Sequence, residues 1–474
     1  MRAFVKPVPW IEDVHRAYAD ARSEVPSLPE LMLTSVTVRI PWVDPLAVFG
    51  QAQGGRTFFE RPYDGLSMVG MGTLWRAEFA GKDRFERASK EWSTLLLRTA
   101  ANGRNASPLS APVGFAGFAF NADAKPVGEW LSFGQGGLML PKILILAKGA
   151  LSWLTLNFIS GKDDDVELQQ RTDEVCHLLK EASKGVEGLL QPYCAGLKEN
   201  PKESESEASW KMAVCSATQA IRQGTLQKVV LARRVGLQLE GRINHALALK
   251  RMRKGFGECT LFAFMENEAC FLGATPERLV SLYGGSKALV SCLAGSARRG
   301  IGSEEDLRLQ ENLLSDTKNR LEHAMVVDTI KKSLAPLCAE ITHPPSPSLV
   351  CIRNIQHLHT PILGLLKQTP GNVLDFLGLL HPTPAVGGLP KEEALLLIRA
   401  LEGFDRGWYA GPVGWVDGSG GGEMFVAIRS ALLSGSKAFL YAGCGIMADS
   451  DPTEELEESR LKLEAMRWTL NGRG

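Results

Sequence analysis

The sequence predicts an α+β fold built on large antiparallel sheets. Three observations point there. Short apolar, β-branched runs come in pairs separated by turn residues, as hairpins do. Longer charged segments with helical spacing interrupt these runs rather than alternating with single strands. The order therefore does not read as βαβ winding, which would give a parallel sheet. At 474 residues the chain is long enough to bury a large core.

Each element has a local reason. Residues 33–40 (LTSVTVRI) alternate apolar and polar side chains and read as a strand. Residues 142–156 read as two strands around a Lys-Gly-Ala turn, and 165–183 as a charged helix. Residues 210–222 read as a helix and 228–239 as a strand rich in Val, Leu and Arg. Strands at 260–265 and 269–273 form a hairpin through Glu266-Asn267-Glu268, and strands at 278–283 and 288–293 form another through Gly284-Gly285. Residues 304–337 read as one or two long helices and 391–402 as a helix. Strands follow at 414–417, 424–433 and 438–442, with 418–422 as a turn. A charged helix over 453–470 closes the chain, with Pro452 and Thr453 near its N-cap.

Composition excludes several function classes. Lys plus Arg and Asp plus Glu are both 53, so the formal net charge is zero. That argues against nucleic-acid binding by bulk charge. A mean hydropathy of −0.05 without a long apolar run argues against a membrane span. The first residues lack a charged-then-apolar leader pattern. Nine scattered cysteines without a CxxC read as reduced thiols of a cytoplasmic protein. The Glu/Ser-rich segment 198–209 reads as a surface loop, either a domain boundary or a long connection within one domain.

Several residues are candidates for chemistry. Glu455, Glu458 and Lys462 fall on one face of the last helix. Two carboxylates one turn apart suit a hard cation such as Mg²⁺, and the lysine suits a substrate carboxylate. Alone, the segment reads more simply as a solvated charged face. Glu322 is a third carboxylate, and by itself reads as a helix surface residue; its neighbour His323 reads as structural. Glu277 follows a strand and a proline, where burial would make it a general acid. The alternative is a turn residue. Lys228 opens an apolar strand and would serve as a base if desolvated, or snorkel to water as an edge lysine. Residues 293–299 offer backbone N–H groups and Ser296 to an anion, or form an ordinary turn.

Together these segments resemble the chorismate-utilising enzymes, which include isochorismate, salicylate, anthranilate and aminodeoxychorismate synthases. The motifs are LQKVVLARR (226–234), LGATPERLV (272–280), CLAGSARRG (292–300), KNRLEHAMVVD (318–328), QHLHTPI (356–362), HPTPAVGGLP (381–390), FDRGWYAGPVGW (404–415), AIRSA (427–431) and AGCGIMADSDPTEELEESRLKLEAM (442–466). They keep the family order over residues 207–470. The resemblance implies one large sandwich of two packed, mainly antiparallel sheets flanked by helices. Residues 1–206 would be its variable N-terminal part and 207–474 its chorismate-binding part. It implies Lys228 as the base that activates water and Glu277 as the acid. It implies Glu322, Glu455 and Glu458 as Mg²⁺ ligands. It places Gly295, Ser296, His357, Ala385, Tyr409, Arg429, Gly445 and Lys462 around the substrate.

Within the family, Ala294 stands where aminodeoxychorismate synthases carry a nucleophilic lysine, and Lys228 where anthranilate synthases typically carry glutamine. Water is then the expected nucleophile. Ala385 and Ser296 stand where salicylate synthases tend to have threonine, so the expected product is isochorismate, with salicylate as the alternative. A chorismate-binding subunit without activity is the expectation from another class. Residues 49–72 look most like the menaquinone-pathway members. The expected partner is chorismate alone, without nucleic acid or membrane, in a monomer or weak homodimer.

Overall fold

The computed structural model describes residues 9–23, 33–102, 107–123, 125–159, 164–186, 197–241, 243–368 and 371–471. Residues 1–8 of the expected leaderless N-terminus, and Cys194, lie outside them. Two long strands, Leu66–Glu78 and Gly136–Lys148, pair antiparallel along their length, with a register shift between Thr73 and Trp75. The second of these changes its outer neighbour midway. Residues 143–148 meet the strand Leu151–Ile159, forming the hairpin predicted around Gly149. Residues 136–139 meet the strand Gly114–Phe118 instead. At this bend the sheet splits into two wings.

The first wing continues through Arg56–Arg61, Thr260–Glu266, Ala269–Thr275, Ser430–Ser434, Lys437–Ile446 and Lys228–Leu239. The second continues through Pro412–Val416, Gly422–Val426, Arg278–Tyr283, Lys287–Arg298 and Ile355–Leu366. Every one of these pairings is antiparallel, as the hairpin pattern predicts. The strand Leu33–Ile40 takes the predicted bounds and pairs with Leu151–Ile159. Its short contact with Thr99–Ala101 is parallel.

One core lies between the wings. Phe59 of the first wing stacks on Phe115 at 5.9 Å and meets Trp415 edge-on at 5.4 Å. A second core lies outside the first wing, under the helices Pro9–Ser23, Pro45–Gln51, Asp164–Ala182, His245–Gly255 and Pro452–Asn471. On the second wing, Thr317–Leu334 packs against Lys287–Arg298 and Ile355–Leu366. No helix among the described residues is long and apolar enough to cross a membrane. The eight described cysteines are free.

The sequence reads 424–433 as one strand, and the structure corrects this. Gly422–Val426 belongs to the second wing and Ser430–Ser434 to the first. Residues 427–429 cross between them, with Arg429 at φ 51°. An apolar run hides such a break because both halves are buried. The chain crosses the other way at Pro276-Glu277, between Ala269–Thr275 and Arg278–Tyr283. The two crossings touch, since the Val426 N–H donates to the Glu277 carbonyl at 3.0 Å. Residues 304–337 resolve into two helices, Ser303–Ser315 and Thr317–Leu334, with Asp316 capping the second through the Asn319 N–H at 2.7 Å. The last helix begins at Pro452, and its cap is Asp451, whose Oδ1 accepts from the N–H groups of Thr453 and Glu454.

Phe59 bridges the wings, so removing it exposes the contact that joins them. Phe59→Ala is expected to cost about 3–5 kcal/mol. Denaturant unfolding checks this; a loss under about 1 kcal/mol would show that the wings hold together elsewhere.

Candidate active site

The two crossings, the end of Lys437–Ile446, the helix Thr317–Leu334 and the start of Pro452–Asn471 close around one cavity of about 260 Å³. That is near the lower end of the roughly 300–1,000 Å³ usual for small-molecule sites, so it suits one small metabolite. Gly295, Ser296, Glu277, Glu322, His357, Ala385, Tyr409, Arg429, Gly445, Glu455, Glu458 and Lys462 all line it. The structure thus gathers every residue singled out from the sequence except Lys228 onto one surface. Lys228 reaches that surface through its amine, which is 2.6 Å from Glu322 Oε1.

Glu277 sits on a crossing that hydrogen bonds hold in place. Thr275 Oγ1 donates to the Val426 carbonyl at 2.6 Å and accepts the Glu277 N–H at 3.2 Å. The Glu277 side chain is 4% exposed. Burial raises its carboxyl to about 8, against the pull of Lys228 and Arg429. A carboxyl protonated at neutral pH is a proton donor.

Arg429 is held at positive φ, a costly backbone state that clusters at functional sites. Ala410, beside Tyr409, is held likewise at φ 58°. Arg429 is 8% exposed and makes no ion pair among the described residues. Its Nη2 donates to His357 Nε2 at 3.0 Å. With Nε2 accepting, the His357 proton is assigned to Nδ1, 3.0 Å from Ser296 Oγ. Burial, then the charges of Arg429 and Lys462, push His357 well below the usual histidine range, so the ring is neutral. The Ser296 hydroxyl is left free to donate into the cavity. Ser296 stands at a bulge created by Gly295, whose φ of 79° favours glycine. The expected turn at 293–299 is thus a bulged strand.

The acidic face of the last helix forms as predicted. Lys462 Nζ lies 2.5 Å from Glu458 Oε1 and 2.8 Å from the Gly443 carbonyl. Burial works to raise the Glu458 carboxyl, but the Lys462 ammonium outweighs it and holds it low. Burial, then the Glu458 charge, raises Glu455 to about 7. Glu455 Oε1 accepts from Ser450 Oγ at 2.7 Å, while Oε2 is buried with no hydrogen-bond partner. Single oxygens of Glu455 and Glu458 lie within 4.8 Å of each other and of Cys444 Sγ. Burial pushes the Cys444 thiol well up, and it donates to the Glu455 carbonyl at 3.3 Å. The donors left for a cation are carboxylate oxygens, a hard set. The orphaned Oε2 is where a cation fits.

The wall opposite is tight. A Cβ on Gly445 would stand 2.8 Å from Glu322 Oε1 and 3.1 Å from Lys228 Cε. Lys318 and Asn319 line the cavity too and are absent from the sequence candidates. They precede Glu322 by four and three residues, so a helical wheel through Glu322 finds them. His323 proves structural, as read from the sequence. Its ring bonds to the Ala294 carbonyl at 3.1 Å and to Thr360 Oγ1 at 2.8 Å.

The chain as a whole is similar to known proteins. A family model described as "Chorismate binding enzyme" matches residues 21–471. The isochorismate synthase MenF of Bacillus subtilis is 34% identical, over 93% of this chain and 94% of its own. The salicylate biosynthesis isochorismate synthase of Pseudomonas aeruginosa is 36% identical, over 96% of this chain and 93% of its own. The solved structure of MenF, the menaquinone-specific isochorismate synthase from Escherichia coli, superposes with a TM-score of 0.74 at 26% identity, covering 97% of this chain and 99% of that one. With its cavity, its order of motifs and these matches, the chain belongs to the chorismate-binding enzyme family.

Proposed function

We propose that this chain is an isochorismate synthase, an isomerase that moves the hydroxyl of chorismate from C4 to C2. The observation that carries the reading is a buried Glu277 and a buried Lys228 serving one cavity whose Arg429 makes no ion pair among the described residues. Chorismate is a dianion, and Arg429 with Lys462 offers it fixed positive charge in a water-poor site. Lys228 takes a proton from water as the C2–O bond forms. The two ring double bonds shift along the ring as the C4–O bond breaks. Glu277 gives its proton to the departing hydroxyl, so water enters and water leaves. Lys228 accepts that proton only as the neutral amine, so its ammonium proton must first leave, and the Glu322 carboxylate at 2.6 Å is placed to take it. Ser296, His357 and Tyr409 orient the substrate, with Ala385, Gly295 and Gly445 as its close walls.

Mg²⁺ is the proposed cofactor, held by Glu455, Glu458 and Glu322. When bound, it would offset the charge of the substrate carboxylate. Residues 1–206 are proposed as the variable part of the fold and 207–474 as the chorismate-binding part. The free thiols suit a reducing, cytoplasmic setting. Both menaquinone and siderophore or salicylate supply use this product. Relatives of both kinds match most of the chain, so the lean to menaquinone rests on the look of residues 49–72.

Purified protein incubated with chorismate should give isochorismate, without pyruvate, when Mg²⁺ is present and not after EDTA. Salicylate plus pyruvate by NMR would assign the chain to the lyase branch instead. No turnover by a folded sample would leave a binding subunit.

Turnover should fall as pH rises through about 8, where Glu277 loses its proton. Glu277→Gln should lower kcat by ~10²–10⁴-fold. The same substitution should raise the melting temperature at pH 9. A carboxyl with a raised folded-state pKa stabilises the fold at low pH, and that stability is lost as pH climbs past 8. An unchanged melting temperature would mean that Glu277 is not buried in the charged state.

Gly445→Ala should cut kcat/KM by at least about tenfold, since its methyl displaces the Lys228–Glu322 pair. Wild-type kinetics in this variant would show that the pair has room to move.

A further inference from the structure

We infer that Arg406 is a positioning residue for this reaction, acting through a clamp that sets the Lys228 strand against the Ala385 wall. The inference rests on the proposed function and adds a part to it. Arg406 is 1% exposed, and its guanidinium joins three separate segments. Nε donates to Glu402 Oε2 at 2.8 Å, and Nη2 to Glu402 Oε1. Nη2 also donates to the Val230 carbonyl at 2.7 Å, two residues from Lys228. Nη1 donates to the Val386 carbonyl at 3.0 Å, next to Ala385. Glu402 Oε1 extends the clamp by accepting the Ala232 N–H at 2.7 Å. The Arg406 carbonyl accepts the Tyr409 N–H at 2.9 Å, and the guanidinium lies 4.2 Å from the centre of the Phe120 ring.

The segments so joined carry the base, one wall of the substrate site and the Tyr409 ring. Their backbones also meet directly, with the Val230 N–H donating to the Gly387 carbonyl at 2.7 Å. That bond fixes their spacing but not their tilt. The planar fork, satisfied on four acceptors, fixes both. Lysine, a compact charge without a fork, cannot span Glu402, Val230 and Val386 at once. The groups that anchor the substrate's charge, Arg429 and Lys462, are no part of the clamp. Loss of the fork should therefore disturb attack more than binding.

The test compares Arg406→Lys with wild type, measuring kcat and KM for chorismate per folded molecule, with the folded fraction taken from melting curves. We expect kcat to fall about 100-fold, as a misplacement of about 1 Å would cause. KM should stay within about threefold, the pattern of a lost transition-state interaction. Leu249→Ala, in the outer core, serves as the control for lost stability alone. It should lower the melting temperature and leave kcat per folded molecule unchanged. Glu402→Gln breaks the clamp from its other side and should give the same split, which covers the case in which Arg406→Lys does not fold. Wild-type kcat per folded molecule in either folded clamp variant would overturn the inference. So would an equal loss in Leu249→Ala. If wild-type protein does not turn over chorismate, it is the proposed function that fails.

Discussion

A buried charge must be compensated, and the cavity is arranged around a guanidinium, Arg429, that forms no ion pair among the described residues. Lys228 has Glu322, and Lys462 has Glu458. Arg406 has Glu402. Arg429 is buried too, yet it makes no ion pair among the described residues; its Nη2 donates to a neutral imidazole, and the Glu458 charge that acts on it is already paired with Lys462. Leaving a guanidinium without a counter-ion in a dry site costs several kcal/mol unless something anionic arrives. An anionic substrate bound beside Arg429 would supply that partner. The acidic side mirrors this. Glu455 and Glu458 stand together, and burial, then the Glu458 charge, raises Glu455, which suits it to a proton or a cation. The site thus sets a cationic side, Arg429, against an acidic side, Glu455 with Glu458, and Lys462 joins the two.

That division follows from the two-winged sheet. Glu277 and Arg429 both stand where the chain passes from one wing to the other, and the crossings are hydrogen-bonded to each other. Residues inside a strand point to one face or the other and seldom converge. Residues on a crossing escape that alternation. The aromatic core between the wings, centred on Phe59, fixes how far apart the crossings and the helices over them can stand. Strained backbone at Arg429 and Ala410 is tolerable because such well-packed surroundings determine it.

How much of this was legible depended on the range of the interaction. The hairpin at 260–275 and the strand Lys228–Leu239 were readable because turn residues and alternation act over a few positions. The carboxylate face of the last helix was readable because its period is local. The break at 427–429 was not, because MFVAIRSALL carries apolar residues on both sides of it and no glycine or proline. The start at Asp451-Pro452-Thr453 was readable too, because capping residues act on the first turn alone. The Lys228–Glu322 and Arg406–Val230 contacts join residues far apart in sequence, and no periodicity reports them. The motif resemblance supplied the list of site residues. It did not supply how they are held.

The contact between Lys228 and Glu322 qualifies the simplest picture of the base. Burial alone would strip a lysine of its charge, and the sequence reading leaned on burial. The structure adds a carboxylate at 2.6 Å, so the amine stands in the cavity already engaged. The same carboxylate is proposed as a metal ligand, so it has two competing attachments in one cavity. Gly445 leaves both groups only the space they occupy. A base that is engaged while the cavity is empty, and released when the neighbouring charges are rearranged, has little chance to activate water without substrate. The bare wall at Gly445 then matters as much as the lysine, because it leaves the room in which the pair meets.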